Sequence, residues 1–492
     1  MKKYIYILLC LLCSLDVFSQ RMQDSVLVLT LDKAIEIARV NSPLAASARH
    51  SFRSQYWTYC FYKANYLPSL NFGTSPDFNH RINAITLPDG TSRYVQQNQL
   101  TTDAYLSLRQ NIALTGGTLS LQTSISRLDM LDNKSYSYRT SPVTIAYNQS
   151  IFGYNSLKWD RKIEPVKFEE AKKSYVEDME SVSKNAVIMF FNLARAQTNL
   201  KIATFNYAQA DTLYTFAKGR YNIGTVPESE MLQFEIRRLS EEMDMLNAQV
   251  TVDNYMQVFR SFLGINEAVD IVVEVKGEVP QFSVDINLAL ELALNNSPKI
   301  FGMKLRLLEN ESSVAKAKGA SGLQADIFAL FGLSQTANEL SDVYKNPLNQ
   351  QSVQVGISFP ILDWGRRKGQ VRVAQSRLDM NRIQVEQERS TFEQNIQKTV
   401  KQFNLQEGNV TIAAKRDQIA ERRSEVARKL YLLGESTILD LNASISEKDS
   451  AKRNYIEALY NYWSLYYNLR ILTLYDFEKD IPLTEDYESL IK

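Results

Sequence analysis

The chain has 492 residues, 45% of them apolar and 23% charged, which excludes collagen, wholesale disorder and a small disulfide scaffold. Lys and Arg number 56 against 55 Asp and Glu, so a nucleic-acid role lacks its usual basic excess. With 18 Gly and 12 Pro over this length, long uninterrupted elements are expected.

Residues 1–19 carry Lys2 and Lys3, an apolar stretch from Tyr4 to Leu15 and the small Ser19 before Gln20, the pattern of a secretory signal peptide. The apolar stretch is shorter than the roughly 20 residues a spanning helix needs. Cys10 and Cys13 fall inside it, so the exported chain keeps Cys60 alone and cannot form an internal disulfide. No later stretch approaches 18 consecutive apolar residues. An exported chain of this kind that enters a membrane does so as β-strands.

From Leu29 to Pro43 the chain reads LTLDKAIEIARVNSP, an amphipathic helix running into Asn41-Ser42-Pro43. Segments of period two follow at 69–80, 103–114, 117–128 and 143–151, with Gly116-Gly117 as a hairpin turn between the second and third. Residues 83–100 and 129–141 read as longer loops. A helix is then expected from about Ser156 to Tyr221, with Pro165 near its start, a tight turn at Tyr221-x-x-Gly224 and a shorter helix over 227–264.

The plan then returns. In VDINLALELALNNSP at 284–298, Ala34, Glu36, Ala38, Asn41, Ser42 and Pro43 recur as Ala289, Glu291, Ala293, Asn296, Ser297 and Pro298, an offset of 298 − 43 = 255. Phe191-Asn192-Leu193 recurs as Phe403-Asn404-Leu405, and Tyr221-x-x-Gly224 as Tyr431-x-x-Gly434. Two strands are expected here, at 325–335 and in the alternation of Val353, Val355, Ile357, Phe359 and Ile361 with Ser352, Gln354, Gly356, Ser358 and Pro360. Residues 361–481 contain no proline, and Val371, Ala374, Leu378, Val385, Phe392, Ile396, Val400, Phe403 and Val410 keep coiled-coil-like spacings. One helix from Arg366 to Leu433 would be on the order of 100 Å long, with a partner over 437–475. The expected domains are a leader over 1–19, a first repeat over 20–281, a second over 282–480 and a tail over 481–492. The fold class is mainly α with a β-barrel part in a tandem repeat. Taken alone, the strands fit a soluble sandwich as well as a membrane barrel.

The ordered set resembles the TolC-like outer membrane efflux proteins. It is carried by Ala34-x-Glu36-x-Ala38-x-x-Asn41-Ser42-Pro43 and its second copy, by Phe359-Pro360-Ile361-Leu362-Asp363-Trp364-Gly365, and by the turns Arg220-Tyr221-Asn222-Ile223-Gly224 and Leu430-Tyr431-Leu432-Leu433-Gly434. The resemblance implies a homotrimer whose strands close one outer membrane barrel and whose helices form a periplasmic tunnel, the exit duct of a tripartite efflux pump or type I secretion system. It implies a periplasmic adaptor and an inner-membrane transporter as partners. By resemblance Arg220, Tyr221, Gly224, Tyr431 and Gly434 dock the adaptor, and Asp440, Glu230 and Tyr431 form the periplasmic gate. Ala443 and Ser436 depart from the family pattern there. Six strands per chain would give a barrel of 18 strands from three copies, against the family's usual dozen or so.

Catalytic signatures are missing. The two histidines, His50 and His80, have no metal-ligand spacing, and there is no phosphate loop and no G-x-S-x-G elbow. Cys60 between Tyr59 and Phe61 reads as a buried packing thiol, and Met231, Met243, Met245 and Met256 as core. No enzyme activity, cofactor or metal site is expected. The competing reading is a periplasmic helical scaffold or adaptor with a soluble β domain, which would normally show one coiled-coil hairpin and no duplicated strands.

Overall fold

A computed structural model describes residues 26–265 and 269–491, so the expected leader lies outside the described residues. The first repeat runs β1 (Val26–Thr30), α1 (Leu31–Asn41), α2 (Pro43–Ala64), β2 (Ser69–Thr86), β3 (Ser92–Ile112), β4 (Gly117–Met130), β5 (Ser135–Ile151), α3 (Ser156–Asn222) and α4 (Glu228–Leu263). The second begins before the expected boundary at 282, with β6 (Asp270–Glu274) as the recurrence of β1, and runs on through α5 (Ile286–Asn296), α6 (Pro298–Ser321), β7 (Gln324–Ala337), β8 (Leu348–Ser358), α7 (Arg366–Asn404), α8 (Gln406–Leu433) and α9 (Ile438–Thr473). Two short strands, β9 (Tyr475–Asp476) and β10 (Ile481–Pro482), and α10 (Tyr487–Ile491) complete the order.

The repeated Asn-Ser-Pro motif has a local cause. Ser42 and Ser297 sit in extended backbone at the N-caps of α2 and α6, their hydroxyls accepting from the N–H groups of Ala45 (3.1 Å) and Lys299 (3.3 Å). The proline that follows occupies the first helical turn, where its missing N–H would be unpaired in any case. One helix thus ends and another begins at the same three residues in each repeat.

The 67 residues of α3 form one helix of about 100 Å. Its counterpart is not continuous, contrary to the expectation from sequence: α7 and α8 are separated at Leu405. The Asn404 side chain turns aside to bracket the backbone of Val284, accepting from its N–H and donating to its carbonyl, each at 3.0 Å. Gly408, a poor helix former, lies one turn on. The apolar stripe read from sequence nonetheless faces inward, with Leu378, Phe392, Ile396, Val400, Phe403 and Val410 all buried. Cys60 is half-buried, not buried as expected, on an aromatic-rich face of α2 that is largely open.

Where α1, α3, α4, α5, α7 and α9 come together the core is aromatic, with Phe190, Phe191, Phe259, Phe403 and Tyr462 fully buried. Beside it lies a chain of ion pairs. Glu180 on α3 is 2% exposed and accepts from Arg39 on α1 (2.9 Å) and from Arg470 on α9 (2.7 Å). Arg470 continues to Asp476 (2.6 Å), and Arg39 to Glu485 in the C-terminal segment. β1 and β6 pair in parallel nearby, from Val26 against Asp270 to Thr30 against Glu274.

All six long strands form one antiparallel sheet in the order β2-β3-β4-β5-β7-β8, so β5 against β7 joins the two repeats. The register puts Leu70 and Phe72 of β2 on the same face as Leu106 and Leu108 of β3, Leu119 and Leu121 of β4 and Ile145 of β5. Phe331 and Ile327 of β7 and Val353, Val355 and Ile357 of β8 continue that face. The opposite face carries Asn71, Ser107, Ser120, Gln122, Ser124, Thr144, Ser352 and Gln354. Residues 83–100 and 129–141, expected as loops, are mostly strand: β2 and β3 pair as far as Thr86 with Ser92, and β4 turns into β5 within residues 131–134. Among the described residues, no helix is long and apolar enough to cross a membrane.

Candidate functional site

Two helical hairpins, α3 with α4 and α8 with α9, end in turns of the same construction. Gly224 and Gly434 have φ of 73° and 79°. The N–H of the next residue reaches back across each turn, Thr225 to the carbonyl of Arg220 and Glu435 to that of Leu430, both at 2.9 Å. A Cβ at either glycine would meet nothing within 4 Å. Glycine is therefore required there for its backbone conformation and not for space.

The turns are brought together by a small apolar core of Leu213, Ala217, Phe234, Leu441 and Ile445, with Tyr431 packed against it. Arg220, Glu230 and Tyr431 converge there. Burial pushes the Tyr431 phenol above its ordinary pKa, the Glu230 charge adds to this, and the Arg220 guanidinium opposes it. Arg220 also lies over the Phe216 ring, 5.8 Å from its centre, while Tyr221 is exposed at the edge of the turn.

Asp440 stands apart from that trio. It occupies the first turn of α9, where its N–H donates to the Thr437 hydroxyl (3.2 Å) and its carboxylate accepts from the Ser436 hydroxyl (3.1 Å) and from Arg423 of α8 (3.4 Å). Arg423 is shared with Glu447, two turns further along the helix. So the acidic position faces a cation of its own chain, and Ser436, which departs from the family pattern, is a partner of Asp440.

Arg423 and Glu447 were not singled out from sequence, although a signal for them exists. In a helical hairpin, residues at equal distances from the turn face each other. Arg423 is 11 residues before Gly434 and Glu447 is 13 after it; Asp417 and Lys452, paired at 2.9 Å, are 17 before and 18 after. Asp211 and Arg238, at 3.8 Å, stand in the same relation to Gly224. Opposite charges at matched distances from a Y-x-x-G turn would have marked all three pairs. Among the described residues no group of three or more His, Cys, Asp or Glu side chains is placed to hold a metal ion.

Residues 289–473 match the family model described as outer membrane efflux protein. A protein of Haemophilus influenzae, described as uncharacterized, is 21% identical over 332 residues, 66% of this chain and 70% of that one. The CmeC outer membrane channel of Campylobacter jejuni superposes with a TM-score of 0.68 at 17% identity, over 94% of this chain and 88% of that one. The outer membrane protein VceC of Vibrio cholerae does so with a TM-score of 0.62 at 13% identity, over 92% and 96%. The arrangement of strands, long helices and paired turns is thus the fold of those outer membrane proteins.

Proposed function

We propose that this chain belongs with the outer membrane efflux proteins and is an outer membrane channel, a passive exit duct of a tripartite efflux pump or type I secretion system. The observation that carries this reading is the six-stranded sheet. One of its faces carries an apolar band from edge to edge, the other is mostly polar with Phe328 and Leu330 of β7 as exceptions, and both edge strands lack a neighbour. Left in lipid, each unpaired backbone group on those edges would cost several kcal/mol. Six strands are also too few to enclose a water-filled lumen, since spanning barrels begin at about eight. Closure therefore comes from further copies, and a homotrimer follows the family.

The long helices then extend from the barrel into the periplasm, and the two turns form the far tip. There Arg220, Tyr221, Gly224, Tyr431 and Gly434 dock a periplasmic adaptor that couples the duct to an inner-membrane transporter. Glu230, Tyr431 and Asp440 belong to the closing of the tip, with Asp440 held between Ser436 and Arg423 in the resting state. The channel itself does no chemistry, and transport draws on the inner-membrane pump.

The test is to fractionate membranes from cells making the full chain, run the outer membrane extract unheated and heated, and reconstitute the unheated species in planar bilayers. Trimers that conduct, and that co-purify with the adaptor encoded beside the pump, are the expected result. A soluble periplasmic monomer would instead support a helical scaffold and end the channel reading.

A further inference from the structure

Relative to a two-hairpin plan, the first repeat carries an additional hairpin, β3 with β4, between the strand that leaves α2 and the strand that enters α3. We infer that this hairpin is part of the membrane wall and that three copies close β2 of one against β8 of the next, giving eighteen strands where the family has about a dozen. The count is six strands from each of three chains, and it rests on the trimeric channel reading.

Three observations carry it. The hairpin is paired along its length on both sides, Ser69 to Thr86 with β3, and Thr118 to Met130 with β5. Its apolar residues fall in the same band as those of its neighbours, Leu106 and Leu108 facing the way Phe72 and Leu70 do, and Leu119 and Leu121 the way Tyr147 and Ile145 do. A hairpin folded aside would have both faces in water and no reason to keep that phase.

Its turn is also fastened at the level where strands pass into helices. The Asn155 amide donates to the carbonyls of Ala113 (3.1 Å) and Leu114 (3.3 Å), and Gln149 donates to that of Thr115 (2.9 Å). Gln110 and Asn111 donate to the carbonyls of Tyr66 (3.0 Å) and Asn65 (2.9 Å), at the end of α2. On the polar face Tyr105 of β3 lies against Gly73 of β2, where an added Cβ would come within 2.5 Å of the ring. The hairpin is thus built into the sheet at its foot and on its lumen side.

The occupant of the open edges is a second copy of this chain. β8 is exposed along all eleven residues, and the apolar band reaches it undiminished through Val353, Val355 and Ile357. Because barrel diameter grows roughly linearly with strand number, eighteen strands give a lumen about 1.5 times as wide as twelve. Such a mouth suits bulky cargo, and the constriction is left to the helical tip.

The experiment uses the full chain with Cys60→Ser as background, in isolated outer membranes, and first establishes trimers. Single cysteines at Ser120, Gln122 and Ser124 should react with a charged, membrane-impermeant maleimide, while cysteines at Leu119, Leu121 and Ile125 should lose that labelling and react only with a lipid-soluble one. Asn71→Cys combined in turn with Ser352→Cys, Gln354→Cys and Gly356→Cys should cross-link neighbouring copies in at least one pairing. Any variant that forms no trimer is replaced by the next position on the same face, Thr118 or Thr123. Trimers in which all six β4 positions label alike with the charged reagent overturn the inference and leave the channel reading standing. Absence of trimers from the parent protein overturns both.

Discussion

Glu180 shows how much a single carboxylate holds in this molecule. It is buried between two guanidinium groups from different helices, so its removal leaves Arg39 to Glu485 alone and Arg470 to Asp476 alone, and takes away the carboxylate that ties the two arginines together. Glu180→Ala should destabilise the folded protein by about 1.5 to 3 kcal/mol, the loss of hydrogen bonds to charged groups, read as the shift of the denaturant midpoint of solubilised trimers; a shift below that of an exposed control such as Glu36→Ala would remove it from this role. Asp476 sets a pH dependence in the same cluster. Burial alone would raise its pKa, but the Tyr466 hydroxyl, the Arg470 guanidinium and the N–H groups of Lys479 and Glu478 outweigh this and hold it below its ordinary value of 3.8. A carboxyl depressed in the folded state stabilises above its unfolded pKa and loses that contribution as pH falls through the folded one. Unfolding midpoints followed downward from pH 3.8 should therefore fall more steeply for the parent than for Asp476→Asn, and equal slopes would show that Asp476 is not the group responsible. At the tip, Asp440→Asn should weaken cation selectivity and block by polyvalent cations in planar bilayers. Arg423→Gln, which frees the same carboxylate, should strengthen both. Changes of the same sign in the two variants would place Asp440 outside the pore. The pairings of Glu180 were not legible in sequence: Arg39 belongs to the repeated motif, but its partner lies 141 residues away on another helix.

At the scale of elements, the two turns and one helix start are decisive. Gly224→Val or Gly434→Val forces a β-branched residue into positive φ, at a local cost of about 1 to 3 kcal/mol. Transport assays on these variants should show impaired efflux with trimers intact, whereas loss of trimers would assign the glycines to folding. Asn155 does two things at once, accepting from the Lys158 N–H at the start of α3 and donating to the β3–β4 turn. Asn155→Ala should cost on the order of 1 to 2 kcal/mol, seen in thermal melts, and should speed amide exchange in residues 113–118; unchanged exchange would mean the turn stands without it. Periodicity revealed the strand segments next to the helices because there one face of the sheet is apolar and the other mostly polar. It hid the outer half of the β2–β3 arm, where Asn83, Gln96, Gln97 and Gln99 leave no apolar phase to read. The break at Leu405 was hidden for a different reason, since it depends on Asn404 reaching the Val284 backbone 120 residues away.

The whole molecule was legible as two copies of one plan, because Ser-Pro caps and Y-x-x-G turns are local devices that recur in order. What joins the copies was not. The pairing of β5 with β7 and that of β1 with β6 are contacts between segments far apart in sequence, and no local preference announces them. The matched family model covers residues 289–473, where the second repeat follows the family plan. The additional β3–β4 hairpin lies outside that range, in the first repeat.

The reach of Arg39 to Glu485 has a consequence for how the chain comes to be folded. The two residues are 446 positions apart, and Arg53 likewise donates to the carbonyl of Leu490. In a chain delivered from its N-terminus, these two ties on the first helices form only once almost the last residues have arrived. Contacts of such sequence separation form slowly, because the entropy of closing the loop is lost before the contact repays it. Until then the first repeat lacks these ties, and its apolar strand faces are the surface most prone to aggregate in the meantime.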